Sequence, residues 1–324
     1  MRINQVLREE RTAILAIQEA HLDQAYVDQL LTLFGARLSI HFSASPGRER
    51  TAHGVAFVIN KDRLDASQIS SVDIIPGRAI LLKVVWHKGT ILHILNVYAP
   101  NVTSQNALFW EELTEKFSSN SFPRPDIILG DFNVVEDAID RLPARNDPVR
   151  ATSALYDLHS MLGLVDGWRT ENPHEKSYTY AQDHGTSLSR LDRVYLTPEL
   201  AKSASDWVTK VVAGIPTDHS LVSVTISDRS APYIGKGRWV FPRAALSDHA
   251  FTAYVISAGR TLLQSIPDDN LRDEHHNVQT LYAQFKRDVT KRARDSAKVN
   301  IPKLNRRIMK LRTERSRGST VWSL

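Results

Sequence analysis

The stretch DIILGDFN, residues 126–133, runs through Ile127, Ile128 and Leu129 and then breaks at Gly130 into Asp131, Phe132 and Asn133. So short an apolar run, closed by a glycine, reads as a buried strand, because a helix needs a longer 3.6-residue pattern. Polar groups at the end of a buried strand are rigidly held and still meet solvent, which is where a sheet carries a site. Four other stretches repeat the arrangement: IQE (17–19), NVYAPN (96–101), SRLDR (189–193) and PTDHS (216–220).

The elements between them follow from periodicity. Residues 3–10 and 26–34 place apolar residues on one helical face, and 13–18, 36–43 and 54–60 read as strands. RAILLKVVW (78–86) and TILHILNVYAP (90–100) flank HKG as a hairpin, and 105–119 and about 150–162 are amphipathic helices. Residues 177–182 and 187–197 read as two strands around a turn at 183–185; 206–214 and 220–227 are further strands. Helices interspersed with hairpins favour a mixed α/β sandwich over a purely parallel sheet. Residues 229–245, rich in Gly, Pro and aromatics, read as a linker between a domain at 1–228 and a basic helical extension at 246–324. That extension has helical pattern at about 246–266, about 274–299 and after Pro302.

The 324 residues contain no cysteine, which excludes a disulfide framework, thiol catalysis and thiolate-bound metals and fits an intracellular setting, nucleus or cytoplasm. No apolar run is long enough to span a membrane. The net charge of +5 is unevenly distributed. Residues 1–228 carry 22 Lys and Arg against 28 Asp and Glu, whereas 286–317 carry 13 against 3. An acidic body suits metal chemistry. A basic helical tail, with Lys291, Arg292 and Arg294 among its cations, suits a polyanion or is simply a solvated helical hairpin.

The strand-end residues form a workable chemical set. Glu19 with a neighbouring oxygen suits a hard cation such as Mg2+. Asp218 and His219 set an acid beside an imidazole, and Asp192 is of the type that orients such an imidazole. Asp131 and Asn133 are placed to hold a water and a phosphate oxygen. Metal, water and phosphate clamp together are the equipment of phosphodiester hydrolysis. Taken singly, each has a plainer reading: Glu19 as an exposed strand end, DFN as an Asx-type turn, Tyr98 as a half-buried core residue.

In this order, IQE, NVYAPN, GDFN, RLD and TDH resemble the signature of the endonuclease/exonuclease/phosphatase family, which includes DNase I and exonuclease III-type enzymes. The resemblance covers roughly residues 1–227. It implies a four-layer α/β/β/α sandwich with the site at one end of two packed sheets, Mg2+ (or Mn2+) and no other cofactor, and DNA as partner. Residue by residue it implies Glu19 as metal ligand, Tyr98 as phosphate contact, and Asp131 and Asn133 as orienting water and phosphate. His219 becomes base or phosphate polariser, oriented by Asp192. Asp218 assists at the metal or the leaving oxygen, and Arg190, Tyr98 and Asn101 contact nucleic acid. LAIQEAHL, ILNVYAPN and SRLDRVYL look like the endonuclease domains of non-LTR retrotransposons, as does the GKGRW…P segment (235–242) with a basic helical stretch behind it. Leu129 before Gly130, and Leu191–Asp192–Arg193, differ from the phosphoinositide-phosphatase branch.

The family also implies a strand bearing a metal-holding asparagine ahead of the helix at 3–10, and no residues precede that helix to form it. The expected reading is a Mg2+-dependent DNA endonuclease. Its rivals are a truncated, inactive relic that binds nucleic acid through its tail, and a phosphatase of a small phosphorylated molecule.

Overall fold

The structure, a computed structural model, describes residues 2–227 except 87–88, 183–186, 213–214 and 216, and farther on 245–246, 248–266, 273 and 277–296. The chain divides into two compact units, Met1–Pro232 and Tyr233–Leu324.

The first unit opens with α1 (Arg2–Glu9), β1 (Ile14–Gln18), α2 (Gln24–Phe34), β2 (Leu38–Ser43) and β3 (Val55–Asn60). Next come β4 (Ser70–Ile75), β5 (Ala79–Val85), β6 (Ile91–Tyr98), α3 (Thr103–Ser118) and β7 (Ile127–Asp131). Then β8 (Arg141–Leu142), α4 (Val149–Leu162), β9 (Val165–Asp166), α5 (Gly167–Glu171), β10 (Tyr180–Gln182) and β11 (Ser187–Ser189) follow. The unit ends with β12 (Asp192–Leu196), α6 (Pro198–Ala201), β13 (Ala204–Lys210) and β14 (Leu221–Ile226). Local chemistry sets the helix ends. The Asp23 carboxylate accepts the Tyr26 N–H at 2.7 Å to start α2, and Gly163, at φ 68°, stops α4 in the left-handed conformation that suits glycine.

Two sheets face each other. One has six strands in the order β4-β5-β6-β7-β12-β9; the other is the three-stranded β1-β3-β2. β13 and β14 form a two-stranded sheet. Strand alternation builds the layers. Val55, Phe57 and Ile59 of β3 pack with Ile80, Leu82 and Val84 of β5 in the core between the sheets, joined by Val222, Val224 and Ile226 of β14. On the outer face of the large sheet, Leu81, Leu95 and Val97 pack under Trp110, Leu113 and Phe117 of α3 and Leu155 and Leu158 of α4. The intervening residues of β3 face the other helices: Val58 meets Leu7 of α1, and Ala56 meets Val27 of α2. The result is the expected α/β/β/α sandwich. β3 is buried along its whole length, as its unbroken apolar run requires.

Gly130 is where the site begins. Its φ is 137°, and a Cβ there would lie 2.0 Å from the Val97 carbonyl oxygen. Backbone on the neighbouring strand cannot yield as a side chain does. Gly130→Ala is therefore expected to destabilise the protein by about 2–4 kcal/mol, steric overlap adding to strain at positive φ, as read from the urea midpoint.

The structure departs from the sequence reading in several places. SLSRLDRVYLT is two strands: β11 pairs with β8 and β10, while β12 pairs with β7 and β9. The break falls at Arg190, whose side chain turns into the interior to meet two carboxylates. β4 is an unforeseen edge strand; its first four residues are exposed and only Ile74 is buried, so its core face is too short to show in the sequence. The helix at 105–119 begins two residues earlier. The turn at 183–185, the linker apart from Ala245, and the helix after Pro302 lie outside the described residues.

In the second unit, α7 (His249–Gln264) is capped by Asp248, which accepts from Ala250 and Phe251. Phe251 and Val255 pack with Val289 and Ala293 of a second helix, residues 278–296. Among the described residues no helix is long and apolar enough to cross a membrane.

Candidate active site

Strand register assembles the site. In the parallel pair β6–β7, Tyr98 lies beside Asp131; in the antiparallel pair β7–β12, Asp131 lies beside Asp192. Three polar residues far apart in sequence thus form a row across neighbouring strands at one end of the large sheet. Glu19 enters from the facing sheet, just past the end of β1, and its carboxylate accepts a hydrogen bond from the Tyr98 hydroxyl. His219, in the loop before β14, reaches the row through Nδ1, 2.8 Å from Asp192 Oδ2.

Buried amides and hydroxyls hold these pieces. Asn96, fully buried, donates to the Ala56 and Ile17 carbonyls at 3.0 and 3.1 Å and accepts from Gln18 at 2.6 Å. It ties the two sheets together one residue from Glu19. Thr179 Oγ1 accepts the backbone N–H groups of Leu191 and Asp192, both at 3.0 Å, and its carbonyl accepts the Ser220 N–H. One residue therefore sets the positions of both Asp192 and the His219 loop. Asn133, at φ 50°, donates its side-chain amide to Ala99 O and Asp131 Oδ2, both at 2.9 Å. In this arrangement it braces Asp131 and does not present its amide outward. Glu19 also sits at positive φ, 51°, a conformation that side-chain-bearing residues hold at a cost of order 1 kcal/mol or more. Such strain gathers at functional positions.

The electrostatics divide the acids and bases into roles. Burial first, and then the Asp192 charge, push Asp131 up to about 7, against the pull of His219 and the Asn133 N–H. For His219, burial pulls downward, but the hydrogen bond and charge of Asp192, with Asp131 and Asp218, outweigh it and hold the ring at about 9. Burial, and then the bond to Glu19, raise the Tyr98 hydroxyl, so it stays protonated and donates. At neutral pH the site therefore carries a cationic imidazole beside a carboxylate poised near its own titration. With Nδ1–H directed at Asp192, His219 Nε2 is left to face a substrate.

Not every expected residue joins this row. Arg190 is the correction: it is buried, 2.8 Å from Asp140 Oδ2 and 2.7 Å from Asp166 Oδ2, with its guanidinium 5.1 Å from the centre of the Trp168 ring. Two carboxylates neutralise it inside the domain, so it is not placed to meet a phosphate. Asp218 and Asn101 are exposed on their loops. Lys291, Arg292 and Arg294 belong to the second unit and are exposed on helix 278–296, with Arg292 5.6 Å from the centre of the Tyr254 ring.

Among the described residues no three His, Asp or Glu side chains converge as a metal cage. Glu19 is an exposed carboxylate with no cation paired to it among those residues. One hard oxygen ligand fits Mg2+, which keeps most of its waters and takes further oxygens from substrate phosphate.

Comparison with known proteins sets this geometry in context. The family model described as Endonuclease/Exonuclease/phosphatase family matches residues 2–249. The Transposon TX1 uncharacterized 149 kDa protein of Xenopus laevis is 32% identical over 209 residues, 63% of this chain and 15% of that protein. The chain thus spans a small part of its curated relative. Among solved structures, an AP endonuclease from Archaeoglobus fulgidus superposes with a TM-score of 0.54 at 22% identity, covering 69% of this chain and 92% of that one. The endonuclease domain of TRAS1, a telomere-specific non-LTR retrotransposon, superposes with a TM-score of 0.50 at 14% identity, covering 70% and 91%. At these identities the superpositions speak for a shared DNase I-like fold.

Proposed function

The chain belongs to the endonuclease/exonuclease/phosphatase family, and from that premise we propose that it is a metal-dependent DNA endonuclease of the retrotransposon type, nicking one strand of its target. One observation carries the reading: the Tyr98–Asp131–Asp192 row, with His219 locked to Asp192 on one side and Glu19 facing it on the other. The transposon relative and the retrotransposon endonuclease fold support the choice of DNA as substrate.

Asp131, titrating near neutrality, takes the proton of a water that attacks the scissile phosphorus. Asn133 holds the Asp131 carboxylate in the orientation this requires. The His219 imidazolium faces the phosphoryl oxygens and neutralises the charge that grows on them, and Asp192 keeps it charged and aimed. Tyr98 holds the Glu19 carboxylate. Glu19 would hold Mg2+ or Mn2+, which would supply Lewis-acid polarisation of the phosphate. Asp218, exposed beside His219, would assist at the leaving oxygen, which departs with a proton taken from solvent.

Supercoiled plasmid incubated with the folded protein and Mg2+ should convert to the nicked circle, and chelation should stop it. Intact plasmid after incubation with folded, metal-supplied protein overturns the nuclease reading. Faster turnover of inositol phosphates than of plasmid assigns the site to a phosphatase instead.

The second unit adds nonspecific DNA contact through Lys291, Arg292 and Arg294. Each phosphate contact contributes about −0.9 to the slope of log affinity against log salt. Lys291→Ala with Arg294→Ala is therefore expected to make that slope shallower by about 2, measured by fluorescence anisotropy on duplex DNA. An unchanged slope assigns these cations to a solvated helix.

A further inference from the structure

Arg78 lies in the turn immediately before β5, half-buried beside Tyr98. Its guanidinium carbon is 4.7 Å from the centre of the Tyr98 ring, within the range of a cation–π contact. Nη1 donates to the Tyr98 carbonyl at 3.1 Å, and Tyr98 N–H returns a bond to the Arg78 carbonyl at 2.8 Å. Arg78 thus grips backbone and ring of the same residue.

Its other terminal nitrogen is also fixed. Nη2 lies 2.7 Å from His53 Nε2. Arginine has no acceptor, so His53 Nε2 must accept, and the imidazole proton resides on Nδ1, which faces Ser45 Oγ at 3.3 Å. Burial, and then the neighbouring Arg78 and Arg48 charges, lower His53 and favour that neutral tautomer. His53 is in turn held by the turn it belongs to: its carbonyl accepts the His21 N–H, and the Gly54 carbonyl accepts the Ala20 N–H. The segment following Glu19 is thereby tied to the segment that anchors Arg78. Among the described residues no carboxylate pairs with Arg78. Burial of this cation is costly, and the Tyr98 contacts with the nearby Glu19 and Asp131 charges offset part of that cost.

We propose that Arg78, anchored by His53, is a positioning residue that presents the Tyr98 hydroxyl to Glu19. The inference deepens the nuclease reading and rests on it for its kinetic consequence. The guanidinium is required, because it makes the ring contact, the carbonyl bond and the imidazole bond at once. A lysine ammonium meets one of them.

The test reads Tyr98 directly. With tyrosines carrying 13C at Cζ, the Tyr98 signal is the one lost in Tyr98→Phe among the 9 tyrosines. Arg78→Met and Arg78→Lys are expected to move that signal to the position of an exposed tyrosine while the others stay. Nicking kcat should fall by about tenfold at unchanged KM, short of the ~10²-fold cost of displacing a reacting group by 1 Å. On a Tyr98→Phe background, Arg78→Met should remove less than about twofold more, since both act through one bond. An unmoved Tyr98 signal in Arg78→Met, or losses that multiply in the double variant, overturns the proposal. If the wild-type protein cuts no DNA, the nuclease reading fails, and the Tyr98 signal still decides the positioning claim by itself.

Discussion

Replacing His219 with alanine is expected to lower plasmid nicking by about 10²–10⁴-fold, the range for loss of a positioned proton-transfer or charge-stabilising group. The loss should fall on kcat, with DNA affinity nearly unchanged, because the proposed mechanism gives His219 a single contact, at the reacting phosphate. The fold should survive. His219 lies in a loop, its ring is partly exposed, and its packing partner Tyr180, with ring centres 4.9 Å apart, keeps its place in β10. The bond that disappears is the one to Asp192, whose position Thr179 fixes independently through the Asp192 N–H. Single-turnover nicking under saturating protein, with a melting curve as control, measures the effect. A loss below threefold would mean that His219 does not face the phosphate.

The sequence announced these residues because each lies at the end of an apolar run. Glu19 follows β1, Tyr98 and Asp131 close β6 and β7, Asp192 opens β12, and the register then aligns Tyr98, Asp131 and Asp192 without further instruction. The layered fold was legible for the same reason: an unbroken apolar β3 and alternating helix faces admit few packings. What the sequence concealed lies in pairings between distant segments. Arg190 reads as an exposed cation until Asp140, 50 residues earlier, and Asp166 are seen to enclose it. Thr179 sits among residues of the same polarity and gives no sign that two loops depend on its hydroxyl and carbonyl. Asn96 did leave a trace, a lone amide in an apolar strand. Only the facing sheet shows that it joins β1 and β3 to β6. Arg78 and His53 are 25 residues apart, and neither ends a strand.

The pH–rate profile of Asp192→Asn decides which chemistry His219 performs. On the proposed mechanism, wild-type activity requires Asp131 ionised and His219 protonated. The rate should rise through about 7, where burial and the Asp192 charge hold Asp131. It should fall through about 9, where Asp192, Asp131 and Asp218 hold His219 against the opposing effect of burial. Asparagine keeps the size of Asp192 and the backbone bonds to Thr179, and removes the charge that raises both groups. Both limbs then move to lower pH. His219 drops toward its ordinary value of about 6.5, so at pH 8 most of it is neutral. An amide also no longer selects the tautomer that leaves Nε2 free for the substrate. These losses compound, and nicking at pH 8 is expected to fall by about 10²–10³-fold, partly recovered near pH 6. If His219 were instead the base that deprotonates water, the signs would reverse. Wild-type activity would climb through pH 9, and the lowered pKa in Asp192→Asn would put more of the ring in its working form at pH 8. The direction in which the alkaline limb moves, and whether the wild-type rate falls or rises there, separates a charge-neutralising imidazolium from a general base.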